Sequence, residues 1–167
     1  MNENILITGG AGFIGSNLAH ALLGASHDVL VIDDLSTGSV YNLDPRAGFR
    51  RLDILDEALA AEFLAFRPEV VVHLAAQASV GASIADPARD RAVNTEGTRR
   101  VASAARDAGA RLVLSASSAA VYGEPEVLPL PETSRKAPMS PYGESKLAAE
   151  SALSAELRGT ATDFASL

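Results

Sequence analysis

The chain of 167 residues contains no cysteine. Disulfides, thiolate metal sites and cysteine nucleophiles are therefore excluded. Histidine is scarce too: His20, His27 and His73 are the only three, and their spacing does not suit a zinc site. No apolar run approaches the ~18 residues that would mark a membrane-spanning helix. The opening Met1-Asn2-Glu3-Asn4 lacks a basic segment and leads straight into an apolar strand, unlike a secretory signal. Positive charge is in short supply. Lys and Arg number 14 against 21 Asp and Glu, a net charge of −7, which argues against a nucleic-acid-binding face. A cytoplasmic chain with no membrane and no nucleic-acid partner is expected.

What is present fits one globular domain: 47% hydrophobic and 21% charged residues. Short runs rich in Val, Ile and Leu alternate with stretches of helical period. Strands are predicted over residues 4–8, 28–32, 49–53, 70–74 and 111–115, and a sixth begins at 162 and runs to 167. Helices are predicted over 13–24, 57–66, 142–157 and, opened by Pro87, a long one over 87–108 that Gly109 stops. This rhythm implies an α/β fold with a parallel sheet covered on both faces. A Rossmann-type doubly wound sheet of order 3-2-1-4-5-6 is expected, with the whole of 1–167 as one domain. Two segments read as loops. One covers 36–46; the other, 123–141, holds five of the eight prolines. Long loops in compact domains are usually functional. The chain ends in mid-strand at Asp163-Phe164-Ala165-Ser166-Leu167 and reads as a fragment.

Three groups of residues carry chemistry. After the first strand, Gly10, Gly12 and Gly15 fit G-x-G-x-x-G, followed by a helix. Glycines at this spacing allow a tight turn and a close approach of backbone to a pyrophosphate, which sits on the helix N-terminus. The second strand leads to Asp33, about 20 residues on, where a carboxylate accepts bonds from ribose hydroxyls and repels a 2′-phosphate. NAD is therefore favoured over NADP. Tyr142 and Lys146 are four residues apart, one helical turn on one face. A free phenol, with a pKa of about 10, is a poor base at pH 7, and a nearby ammonium favours the phenolate. Tyr142 is then a candidate base for a hydroxyl. Ser115-Ala116-Ser117-Ser118 closes the fifth strand at the ligand-binding edge of such sheets. Spacing alone does not separate Ser117 from Ser118.

In this order and spacing the segments resemble the extended short-chain dehydrogenase/reductases, the NAD-dependent epimerase/dehydratase type, and most closely the UDP-glucose 4-epimerase group. They are Thr8-Gly9-Gly10-Ala11-Gly12-Phe13-Ile14-Gly15, Asp33-Asp34-Leu35-Ser36-Thr37-Gly38, Asp53-Ile54, His73-Leu74-Ala75-Ala76-Gln77, Asn94-Thr95-Glu96-Gly97-Thr98, Ser117-Ser118-Ala119-Ala120-Val121-Tyr122-Gly123 and Pro141-Tyr142-Gly143-Glu144-Ser145-Lys146. The resemblance implies a cofactor site for NAD. Gly9, Gly12 and Gly15 would form its phosphate loop, with Phe13 and Ile14 under the pyrophosphate. Asp33, Asp34, Leu35, Ser36, Thr37 and Gly38 would hold the adenosine ribose and phosphates, and Asp53 and Ile54 would meet the adenine. Leu74, Ala75, Ala76 and Gln77 would line the cofactor with Asn94 behind them. It also implies that Ser118, Tyr142 and Lys146 are catalytic, with Lys146 on the nicotinamide ribose as well.

The implied activity is 4-epimerisation of a UDP-sugar through a 4-keto intermediate, in a homodimer built from the helices near residues 89–108 and 142–157. Ala102, Ala105, Ala148 and Ala149 would allow close approach there. Related 4,6-dehydratases carry an acidic residue where this chain has Ala119 and Ala120. UDP-glucuronate 4-epimerases share nearly every motif. A non-catalytic NAD-binding module is the alternative from another class. Family members are about twice as long, so the chain is expected to stop before the half that completes the nucleotide-sugar site.

Overall fold

A computed structural model of the chain describes residues 2–125 and 127–167; Glu126, inside the long proline-rich connection, lies outside the described residues. Six strands form one sheet: β1 Asn4–Thr8, β2 Asp28–Asp33, β3 Gly48–Arg51, β4 Val70–His73, β5 Leu112–Ser115 and β6 Asp163–Ser166. All five neighbouring pairs are parallel. The order is β3-β2-β1-β4-β5-β6, as the alternation of strand and helix predicts.

Each strand feeds two faces because its side chains alternate. Leu6, Leu30, Ile32, Val71 and Val113 point into one cluster, with Leu59 and Phe63 of α2 (Leu59–Phe66), Val101 and Ala105 of α5 (Gly97–Asp107), and Leu153 and Leu157 of α6 (Pro141–Leu157). Ile5, Ile7, Val29, Val31 and Val70 point the other way and meet Ala19, Leu18 and Leu22 of α1 (Phe13–Gly24). Burying an aliphatic side chain of this size is worth about 1.5–3 kcal/mol. A slip of one residue in any strand would exchange the two sets.

The predicted long helix is a continuous run with an interruption of its period. It starts as α4 (Pro87–Arg91), passes through a π turn at Ala92–Glu96 and continues as α5. Asp86 caps it, accepting from Arg89 N–H at 2.9 Å, and Pro87 takes the first position. A short helix before it, α3 (Val80–Ala85), is not foreseen in the sequence reading; Ser79 caps it through Ala82 N–H. At its other end α2 starts two residues later than predicted and closes at Arg67, whose φ of +53° is left-handed. The loop over 36–46 contains one 3-10 turn, Val40–Asn42. No helix among the described residues is long and apolar enough to cross a membrane.

One expectation about the surface is corrected. Ala102, Ala105 and Ala149 are buried within the chain itself, between α5, α6 and the sheet. Their small size serves that internal packing, which Glu156 reinforces by pairing with Arg106 at 2.8 Å and Arg99 at 3.4 Å. They are not free to meet a second copy.

Candidate active site and cofactor cleft

The parallel register places the strand ends in a row: Thr8 lies opposite both Ile32 and His73, and His73 lies opposite Ser115. The candidate site is built on this carboxyl edge.

At β1 the chain turns through Gly9, whose φ is +72°. A Cβ on Gly9 would lie 2.5 Å from Ala75 N, and one on Gly15 would lie 2.6 Å from Gly9 O. These two glycines are required by the fold, since nothing larger fits between loop, helix and β4. Gly12 differs: a Cβ there meets only Gly9 O at 3.4 Å. Gly12 is the N-cap of α1 and offers no side-chain cap, while Ser16 is the residue that bonds back to its carbonyl. The N–H groups of the first turn therefore have no partner inside the helix. Phe13 and Ile14, 84% and 65% exposed, border the same open end. A cleft of about 540 Å³ lined by Gly12, Phe13, Ser16, Asn17, His20, Thr37 and Asn42 opens there. An uncapped helix start, with glycine facing open space, fits a dinucleotide pyrophosphate.

Asp33 is buried, and its carboxylate is shared between two backbone donors: Ala11 N–H at 2.9 Å and Leu35 N–H at 2.8 Å. It therefore staples the glycine loop to the end of β2. Leu35 sits at φ +63°, and Asp34 accepts from Ser36 through both N–H and hydroxyl. Thr37 lines the cleft, and Gly38 packs with Ala11, where a Cβ would come within 2.9 Å of its carbonyl carbon. The segment 33–38 is thus folded against the phosphate loop.

Asp53 and Ile54 follow shortly after β3. Ile54 is buried in the core, against Gly97, so its side chain does not face a ligand. Asp53 accepts from Leu55 N–H at 2.9 Å and pairs with Arg89 at 3.2 Å. The Asp53 side chain keeps some exposure, whereas Ile54 is buried.

After β4, the segment Leu74, Ala75, Ala76 and Gln77 runs along the edge. Asn94, inside the π turn and 1% exposed, holds it: its Oδ1 accepts Gln77 N–H at 2.8 Å and its Nδ2 donates to Gln77 O at 3.0 Å. The same Nδ2 lies 3.0 Å from Ser145 Oγ and 3.2 Å from Asp90 Oδ1, which also accepts from Gln77 Nε2 at 2.7 Å. Asn94 thus ties the cofactor-edge segment to α6 from behind. Asp90 is equally buried, and its Oδ2 has no partner among the described residues.

On α6, Ser140 caps the first turn through Gly143 N–H, and Pro141 opens the helix. Tyr142 follows, half-buried, with its N–H donating to Ser83 Oγ of α3 at 3.2 Å. One turn later Lys146 is buried, and its Nζ donates to Ala116 O at 2.5 Å. Burial pushes the ammonium below the usual lysine range, and the carboxylates of Glu150 and Asp90 push back. Ser118 and Ser117 have distinct partners. The Ser117 hydroxyl donates to Glu150 Oε1 at 2.5 Å; Ser118 Oγ accepts from Ala120 N–H at 3.2 Å and keeps its proton for another acceptor. Glu150, Ser83, Asp90 and the paired hydroxyls of Thr8 and Thr98 around His73 were not singled out from sequence. The contacts that join Glu150 to Ser117, Ser83 to Tyr142 and His73 to both threonines span 25 to 65 residues, and no local pattern announces them.

Residues 5–167 match the family model of the NAD dependent epimerase/dehydratase family, and the chain belongs to that family. Among its relatives, the UDP-glucose 4-epimerase of Mycolicibacterium smegmatis is 46% identical over 151 residues, 87% of this chain and 48% of that protein. The crystal structure of UDP-glucose 4-epimerase from Thermotoga maritima with UDP-glucose superposes with a TM-score of 0.94 at 39% identity, covering 98% of this chain and 54% of that one. The enzyme from Brucella ovis in complex with NAD gives 0.93 at 38% identity, covering 98% and 50%. The chain spans about half the length of the relatives it matches.

Proposed function

We propose that these residues form the NAD-binding half of a nucleotide-sugar 4-epimerase acting on a UDP-sugar of the UDP-glucose/UDP-galactose type. The observation that carries the reading is the junction of β5 and α6. There Lys146 is buried and bonded to the Ala116 carbonyl, Tyr142 stands one turn before it, and Ser118 retains a free hydroxyl proton two residues beyond Ala116.

NAD would rest with its pyrophosphate on the uncapped start of α1, at Gly12, Phe13 and Ile14, with its adenosine ribose at Asp33 and the segment to Gly38. Asp33 spends one bond of each oxygen on backbone, and a carboxylate has lone pairs left for ribose hydroxyls. Bound NAD supplies a hydride acceptor that returns the hydride within the same turnover. The protein does the proton work. Tyr142 Oη takes the proton of the sugar 4-hydroxyl as that carbon becomes a ketone, and gives it back when the carbon is reduced on its other face. Ser118 donates a hydrogen bond to the same oxygen, where charge develops. Lys146 places a positive charge beside the phenolate and a donor toward the nicotinamide ribose. A homodimer through the outer faces of α5 and α6 belongs to the same reading.

Proton NMR of the chain with NAD⁺ and UDP-glucose, UDP-glucuronate or UDP-N-acetylglucosamine tests this. Appearance of one 4-epimer establishes the reaction and names the sugar, and Tyr142→Phe should abolish it; persistence in that variant would remove Tyr142 from its role. Retention of NAD without any conversion would assign the chain to cofactor binding alone. Absence of NAD binding, read by calorimetric titration, would overturn the proposal at its first step.

A further inference from the structure

The proposed reaction leaves one of the chain's two lysines unused. Lys136 lies in the proline-rich connection, and its ammonium pairs with Oε2 of Glu150. The other oxygen of that carboxylate, Oε1, accepts the Ser117 hydroxyl at 2.5 Å. Glu150 stands on α6 one turn beyond Lys146, and its side chain is only 18% exposed. One carboxylate thus holds two segments that are separated from it by 33 and 14 residues.

We propose that Glu150 is a positioning residue of the candidate site, a carboxylate clamp that ties the serine-bearing end of β5 and the connection 123–140 to helix α6. The proposal rests on the reading of Ser118 and Lys146 given above. Fixing the Ser117 side chain fixes the backbone that enters Ser118. Fixing Lys136 secures the place where the connection doubles back: Gly123, at φ +72°, packs directly on the carbonyl of the next residue, Ala137, and Tyr122 Oη donates to Glu132 O at 3.4 Å.

The clamp also bears on the charge of Lys146. The groups that face this ammonium are Glu150 from its own helix, Asp90 from α4 and His73 from β4. His73 is neutral near pH 7, because burial pushes it down to about 3. Glu150 and Asp90 are therefore the two carboxylates that oppose the effect of burial on Lys146. Removing either one lets desolvation lower the lysine further.

Because Lys136 and Lys146 are the only lysines, lysine labelled with ¹³C at Cε gives one signal for each in the intact chain. In Glu150→Gln an amide oxygen still accepts from Ser117, but the charge is gone. The Lys146 titration midpoint should fall by about half a pH unit or more. In Lys136→Met, a surface change that leaves the helix intact, tryptic cleavage after Arg135 should rise roughly fivefold. A folded Glu150→Gln variant with an unmoved Lys146 midpoint overturns the clamp, as does unchanged cleavage in Lys136→Met. Should Glu150→Gln not fold, the cleavage rate of Lys136→Met decides alone. Titration of NAD into the same samples separates the two readings. A wild-type chain that binds no NAD removes the cofactor assignment, whereas the lysine signals report on the clamp regardless.

Discussion

Thr98 donates its hydroxyl proton to the carbonyl of Asn94, 2.6 Å away, and so it meets His73 Nε2 at 3.0 Å only as an acceptor. His73 must carry its one proton on Nε2, which leaves Nδ1 to accept the Thr8 hydroxyl at 2.6 Å. The three side chains form a directed chain of bonds from the end of β1, through β4, to the π turn. A second proton on His73 would have to enter at Nδ1, against the Thr8 proton.

That arrangement predicts a particular acid sensitivity. Burial, joined by the positive charge of Lys146, pushes His73 from 6.5 down to about 3. Between those values the unfolded chain holds a proton that the native chain refuses. The stability from this group is complete above pH ~6.5 and is lost at about 1.4 kcal/mol per pH unit as the pH falls toward 3. Urea unfolding between pH 7 and 4 should show a steeper loss for the wild type than for His73→Asn, which takes up no proton. Parallel pH profiles would contradict the buried neutral histidine.

The two kinds of glycine in the phosphate loop should separate in experiment. Gly9→Ala forces a methyl onto Ala75 at a positive φ and should cost about 2–4 kcal/mol of stability. Gly12→Ala meets only Gly9 O, at an ordinary contact distance of 3.4 Å. It should leave the melting temperature within about 2 °C while weakening NAD binding about tenfold or more, because the methyl occupies the approach of the pyrophosphate. Equal stability losses in the two variants would refute the distinction.

Asp33 has a structural task that precedes any cofactor. Both of its oxygens accept backbone N–H groups, and Asp33→Asn would turn an NH₂ toward one of them. The apo chain should lose about 1–3 kcal/mol, measured by denaturation in the absence of nucleotide. If the loss appears only when NAD is present, the staple between β2 and the glycine loop contributes nothing on its own.

The serines offer a fourth comparison. Ser117→Ala deletes one bond of the Glu150 clamp and should cost about 1 kcal/mol of stability, with a modest loss of turnover. Ser118→Ala spares that bond and should lower turnover about a hundredfold with little change in melting temperature. Steady-state kinetics with the UDP-sugar that turns over, alongside calorimetry, would read both effects. The reverse ranking would exchange the two assignments.

Local pattern made much of this legible. β1 and α1 fall where predicted because apolar alternation, the glycine turn and the helical period all act within a few residues of each other. The strand order follows from the rhythm of elements, and Asp33, Asn94 and Lys146 lie on the edge that the motifs indicate. What escaped depends on distant partners. Ser117 meets Glu150 across 33 residues, Thr8 meets His73 across 65, and Arg89 meets Asp53 across 36. The Ile54 side chain turns into the core, where Gly97 leaves room for it, a packing that no local pattern shows. The π turn escaped for a related reason. It sits among contacts that reach outside Ala92–Glu96, such as Asn94 with Gln77 and Ser145.

The π turn gives a single rod two angular phases. One residue more than an α-helical period sets everything after it back by about 100° around the axis, relative to an uninterrupted helix. Asp90 and Asn94 can therefore look toward the cofactor edge and α6, while Val101 and Ala105, only a few residues on, look squarely at the sheet. An uninterrupted helix would have to choose which of the two directions to serve. Here a local change of pitch lets recognition and packing be composed separately along one unbroken backbone.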